Sequence, residues 1–323
     1  MNKKRKEVIK ENEVSDIYTF NLNGYPQKVL IEGKNNSLPV LITLHGGPGT
    51  PIPFSVGCRG LFPDFTNNFL MVYWDQLGCG INNYEIDDSF SITHFVKMTC
   101  DLIDEVKKLF PDNKVFIFGT SWGSILSLLV SDIKGREIAG VAVSGQILKN
   151  ALFCGEVYKT LEENNVPQKI ITRIKNVDIE KITVKDLQFV SSCLRKYTDA
   201  YINKKSKNEG IGKIISGLLT SPDYSFRDFK AIIVNGYKKN VSLWKEILHL
   251  DLSAKLANVK IPYSIIQGET DVVASTTLVR NIVSNSGNNN LTLDIIKNSG
   301  HIPGKEMMDV VFNRLLELRN TSC

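Results

Sequence analysis

The stretch "KVFIFGTSWGSILSLLV", Lys114 to Val130, constrains the fold more than any other part of the sequence. An apolar run of strand character gives way to an apolar run of helical period, and the hinge is a serine set between two glycines. A strand that turns so sharply into a helix needs nearly atom-free neighbours two residues before and after the corner, which Gly119 and Gly123 supply. Ser121 then projects its hydroxyl from the carboxyl end of the strand. Its backbone stands at the amino end of a helix, where unpaired N–H groups favour negative charge. A helix N-cap serine is the plainer reading of the same residues; the strand before and the helix after favour the strained corner.

The rest of the chain repeats the pattern. Strands read at 16–22, 27–32, 39–44, 69–74, 114–118, 139–144, 262–267 and 291–297, the first two as an antiparallel edge hairpin. Amphipathic helices read at 91–109, 122–133, 275–285 and 304–319. This alternation predicts an α/β fold, a mostly parallel eight-stranded sheet flanked by helices. Between about Gln146 and Leu250 the strand signal stops and the sequence turns helix-like and rich in lysine. The expected organisation is a flexible tail over 1–14, a core over 15–145 and 251–323, and an inserted helical cap over 146–250. The cap carries 18 Lys+Arg against 11 Asp+Glu, a net of +7, within a chain of net +5. The cap is therefore the basic part.

Composition excludes several classes. The six cysteines (Cys58, Cys79, Cys100, Cys154, Cys193, Cys323) show neither CxxC pairs nor zinc-ligand spacing, so reduced thiols, a cytoplasmic location and no metal are expected. The start, "MNKKRKEVIKENEVSD", turns polar where an export signal needs an apolar stretch, and no run of about 18 apolar residues predicts a membrane span. The charge is too mild and dispersed, and aromatic platforms are too few, to predict nucleic-acid binding. Nothing in the sequence bears on oligomeric state.

A nucleophilic serine needs a base, and the base an orienting carboxylate, all beyond strand carboxyl ends. Of the four histidines, His94 and His249 fall within predicted helices and read as packing or surface residues. His45 ends the third strand and precedes the serine. His301, in "KNSGHIPG", follows the last strand and is the expected base. "IIQGETDVV" ends the seventh strand and offers Glu269 and Asp271; Asp271 is the expected carboxylate, because Glu269 lies nearer the strand end, where it can finish the turn. The order Ser121, Asp271, His301 is the order of nucleophile-elbow hydrolases. For the oxyanion, the expected donors are the N–H groups of Trp122 and of Gly47 in "HGGPG", with His45, Gly46 and Pro48 supporting that loop.

These motifs resemble the α/β-hydrolase superfamily and, within it, the prolyl iminopeptidase group: "HGGPG" at 45–49, "WDQLGCG" at 74–80, "GTSWGS" at 119–124, "GETD" at 268–271 and "SGH" at 299–301. The group's second motif usually reads DQRG; here Leu77 stands at the arginine, and Asp75 and Gln76 are expected to support the turn beside the pocket. The resemblance implies cofactor-free acyl transfer to Ser121 and hydrolysis of a small molecule or short peptide, with release of N-terminal proline as the implied reaction. It also implies cap glutamates that hold a free amino terminus. Glu209 and Glu246 are the candidates, although lysines stand beside both in a positive cap. A carboxylesterase or lactone-type hydrolase with different cap chemistry is the alternative. A non-catalytic ligand-binding protein on the same scaffold is disfavoured by the complete Ser121, Asp271 and His301 set.

Overall fold

In the computed structural model, the described residues are 2–203, 209–234, 237 and 240–321. The chain enters its sheet through a hairpin, β1 (Val14–Leu22) and β2 (Tyr25–Gly33), whose Asn23–Gly24 turn has both residues at positive φ, the geometry that matches strand twist. β2 runs antiparallel to β4 (Leu70–Tyr73), and from there the sheet is parallel: β3 (Val40–Leu44), β5 (Val115–Thr120), β6 (Ile138–Ser144), β7 (Tyr263–Gly268) and β8 (Leu291–Ile296). The spatial order is β1-β2-β4-β3-β5-β6-β7-β8. β3, β4, β5 and β7 are buried at every residue, as strands covered on both faces must be. All eight strands lie where the alternation predicts, with ends shifted by a few residues.

Helices cover both faces. After α1 (Lys3–Glu11) and the short α2 (Pro63–Thr66) come α3 (Ile92–Leu109) and α4 (Trp122–Lys134). The cap then supplies α5 (Gly155–Glu163), α6 (Gln168–Lys175), α7 (Val184–Tyr197), α8 (Glu209–Leu219), α9 (Phe226–Ile233) and α10 (Val241–His249). The core closes with α11 (Ser253–Ala257), α12 (Thr276–Ser286) and α13 (Lys305–Thr321). Phe95 and Leu102 of α3 join Ile125 and Leu126 of α4 and Val279 of α12 in one apolar cluster. Met307, Val311 and Leu315 of α13 pack into a second cluster with Phe116 and Phe118. The cap helices build most of a third apolar cluster, with Leu161, Ile174, Leu187 and Leu194, which also takes in Val273 from the loop after β7. Among the described residues no strand interrupts the chain between β6 and β7, and no helix is long and apolar enough to cross a membrane.

The expected flexible tail is instead the helix α1. Asn2 caps it by accepting the Arg5 N–H at 2.8 Å, and Arg5 is buried despite its charge. Its guanidinium donates to the carbonyls of Arg59 (2.6 Å), Gly217 (2.6 Å) and Gly57 (2.5 Å). Three carbonyl acceptors replace the lost water, which makes burial of this cation possible.

Candidate active site

Ser121 sits between β5 and α4 at φ 51°, ψ −115°, a backbone that a serine adopts only under strain, on the order of 1–3 kcal/mol. The flanking glycines are required by space. A Cβ on Gly119 would strike Ser127 Oγ and the carbonyl oxygen of Gly123, and one on Gly123 would fall on the carbonyl oxygen of Leu44. The elbow is held by Ser121 N–H donating to Ser144 O at 2.9 Å and by Ser124 Oγ donating to Ser121 O at 2.6 Å.

The two partners arrive from the ends of the last strands. His301 Nε2 lies 2.7 Å from Ser121 Oγ, and His301 Nδ1 lies 2.8 Å from Asp271 Oδ2. The second oxygen of Asp271 accepts the N–H groups of Val273 and Ala274, each at 2.9 Å, so the buried carboxylate is fixed from three sides. That arrangement orients the imidazole with Nδ1–H toward Asp271 and leaves Nε2 to accept the serine proton. Glu269 stands just past the end of β7 and ties that loop to the next one: its Oε2 accepts the Asn298 N–H of the loop after β8 at 3.1 Å.

The "HGGPG" loop meets the elbow from the neighbouring strand. A Cβ on Gly46 would come within 3.2 Å of Ser121 Cβ, and Gly47 has φ +119°, where a side chain would strike the Gly49 N–H at 2.6 Å. Gly46, Gly47, Pro48 and Trp122 line the same cavity as Ser121 and His301. His45 is buried away from the serine. Its Nδ1–H donates to Gly46 O at 2.9 Å and its Nε2 accepts the Gln76 N–H at 2.9 Å; burial lowers its pKa to about 4, so the ring is neutral near neutral pH.

Gln76 joins the two loops. Its side-chain N–H donates to His45 O at 3.2 Å, and its carbonyl oxygen accepts the Trp122 indole N–H at 2.8 Å. Asp75 holds the turn by accepting the N–H groups of Val56 (3.1 Å) and Ile81 (3.0 Å), and Tyr224 Oη from the cap. Burial raises the Asp75 pKa to about 6. Leu77 is buried and offers its carbonyl to Tyr237 Oη at 2.5 Å.

Residues that the sequence did not single out complete the site. The cap segment Asp199–Tyr201 grips the loops that carry His301 and Asp271: Ala200 O accepts the His301 N–H at 2.8 Å, Tyr201 O accepts the Ile302 N–H at 2.9 Å, and Asp199 O accepts Thr270 Oγ1 at 2.8 Å. A Cβ on Gly300 would come 2.7 Å from the carbonyls of Asp199 and Ala200, so the glycine of "SGH" is where this contact was written.

A cavity of about 1670 Å³ spreads from Ser121 beneath the cap. Among the described residues no acidic side chain of the cap lines it; Asp64 and Asp309, both from the core, are its acids. Glu246 does not serve as an amine ligand here, because its Oε2 accepts the Ile92 N–H at the start of α3, at 2.8 Å. Its neighbours Trp244 and Ile247 face the cavity, so the helical period of α10 turns Glu246 away. Glu209 opens α8, and its side chain lies outside the described residues. No group of metal-ligating side chains occurs among the described residues.

A strained serine elbow on a sheet of this order, with an imidazole and a carboxylate aligned behind it, defines a hydrolase of the α/β class. The sequence profile of the alpha/beta hydrolase fold matches residues 39–306, and the chain belongs to that family. Its sequence is 22% identical over 305 residues to the probable aminopeptidase YbaC of Bacillus subtilis (strain 168), covering 92% of this chain and 93% of that one. It is 35% identical over 121 residues to the proline iminopeptidase of Neisseria gonorrhoeae, a stretch that is 36% of this chain and 35% of that protein. Among solved structures it is similar to 2-hydroxy-6-oxo-6-phenylhexa-2,4-dienoate hydrolase from Rhodococcus sp. strain RHA1, with TM-score 0.62, 17% identity and coverage of 95% of this chain and 100% of that one. The proline iminopeptidase of Mycobacterium smegmatis gives TM-score 0.59 at 14% identity with the same coverage. At such identities these structures share the fold.

Proposed function

We propose that the protein is a serine hydrolase that cleaves a small ester or amide through an acyl-enzyme, and that its cap favours acyl groups without a positive charge. The distance that carries the reading is the 2.7 Å between Ser121 Oγ and His301 Nε2. Ser121 Oγ attacks the substrate carbonyl carbon while its proton passes to His301 Nε2, and Asp271 stabilises the imidazolium. The oxyanion develops beside the N–H groups of Trp122 and Gly47, where the start of α4 also favours negative charge. His301 returns the proton to the leaving group, and a water molecule activated by the same imidazole releases the acid and restores the serine. The free thiols of the five described cysteines support a reducing, cytoplasmic setting.

The names of the sequence relatives point to removal of an N-terminal residue, and proline is the first to try. The cavity argues for the esterase-like alternative, because a protonated amine needs acceptors and the described cap lining offers no carboxylate. A fluorophosphonate probe should label the wild type and not Ser121→Ala, whose turnover should fall by about 10⁴-fold or more. Equal labelling would remove Ser121 from its role. A side-by-side panel of nitrophenyl esters and prolyl arylamides tests the acyl preference, and strong prolyl arylamide turnover would overturn the charge argument.

A further inference from the structure

The helix α7 lays a stripe of polar side chains along the cavity. Gln188, Ser192 and Arg195 are spaced by four and three residues, so they share one face, and all three line the cavity with Ser121. The acid of this helix, Asp186, is tied into its capping box with Thr183 and does not line the cavity. Among the described residues the side chains of Gln188, Ser192 and Arg195 make no hydrogen bond or ion pair, and all three residues are exposed. Arg195 is nonetheless held in place. Its guanidinium lies 4.0 Å from the centroid of the Tyr201 ring, and that ring stands edge-on to His301 with centroids 6.0 Å apart. Tyr201 is itself fixed, through its hydroxyl donating to Ser191 Oγ at 3.1 Å and its carbonyl accepting the Ile302 N–H. Among the described residues this cation has no counter-ion, and it stands one aromatic ring away from the imidazole that touches Ser121.

From this geometry we infer that α7 is an anion subsite: Arg195, with Gln188 and Ser192, binds a carboxylate carried by the substrate at the end of its acyl chain remote from the scissile bond. The inference rests on the serine-hydrolase reading and names its substrate class, the monoesters or monoamides of dicarboxylic acids. A guanidinium fork matches a carboxylate in shape and charge, and the neutral amide and hydroxyl beside it add donors without repelling the anion. The Tyr201 ring covers one face of the guanidinium, so an arriving carboxylate meets a cation whose plane is already oriented.

The test is a series of nitrophenyl monoesters of succinic to suberic acid, each set against the neutral nitrophenyl ester of the same acyl length. Wild-type kcat/KM should favour the carboxylate-bearing member of at least one pair by about tenfold or more, and added salt should erode the preference. Arg195→Met, which keeps the aliphatic stem over Tyr201, should lower that ratio by about ten- to a hundredfold, and Arg195→Lys should restore part of it. Circular dichroism checks that each variant is folded. A wild-type ratio near one at every length, or a ratio that Arg195→Met leaves unchanged, overturns the subsite while the serine-hydrolase reading stands. Turnover of neither ester, with no labelling of Ser121, overturns both.

Discussion

A methyl group added at Gly123 would land on a backbone carbonyl of the neighbouring strand; one added at Gly212, in α8 of the cap, would meet no heavy atom of the described residues within 4 Å. The two glycines mark two ways of building. At the elbow, the approach of α4 to β3 leaves no side-chain volume, so the backbone path dictates residue type. In the cap, amphipathic helices pack around an apolar cluster made mostly of their own residues and close their ends with capping boxes, as at Thr183 and Ser225. Many sequences satisfy that kind of order. The elbow is thus held by parts that tolerate little change, and the roof of the cavity by parts that tolerate much.

The comparison breaks most easily at its rigid end. Gly123→Ala should destabilise the protein by more than about 3 kcal/mol and abolish activity, since a backbone carbonyl cannot step aside; urea unfolding reads the loss, and a midpoint within error of wild type would refute the packing argument. Gln76→Leu leaves a buried indole N–H and a carbonyl unpaired and uncouples the two loops around Ser121. We expect kcat to fall by about ten- to a hundredfold, measured on a nitrophenyl ester. An unchanged kcat would mean that the loops hold their spacing without the amide.

Asp75 sharpens the comparison through pH. Its folded pKa is about 6 against an ordinary value of 3.8, so between these values the folded protein binds the extra proton. Stability should therefore fall as pH rises from about 4 to about 6, by about 2–3 kcal/mol, and stay level above that range. Asp75→Asn should unfold at lower urea overall and lose this slope; a slope that survives would assign it elsewhere. The smallest effect belongs to the cap: Gly212→Ala should raise stability by about 0.5–1 kcal/mol through helix propensity, seen as a higher urea midpoint.

What the sequence made legible follows the same division. The elbow could be read because its glycines are steric necessities, and His301 and Asp271 because parallel strands deliver their trailing loops to one edge. Glu269 and Asp271 could be told apart by distance from the strand end. Arg5 could not be placed: its acceptors at Gly57, Arg59 and Gly217 lie far along the chain, and nothing near "KKRKEVIKE" signals them. Glu246 was legible as an acid in a cap helix, but its use on the Ile92 N–H depends on where α3 begins in space. The polar stripe of α7 shows as periodicity, yet only the assembled cavity gives it a direction.

The grip of Asp199–Tyr201 on the loops of Thr270 and His301 sets how substrate can come and go. A cap that swung upward at this edge would pull the imidazole off Ser121, so we expect this edge to stay fixed and substrate to pass elsewhere around the roof. Amide exchange at His301 and Ile302 should accordingly stay slow during turnover, when the passage for substrate opens and closes.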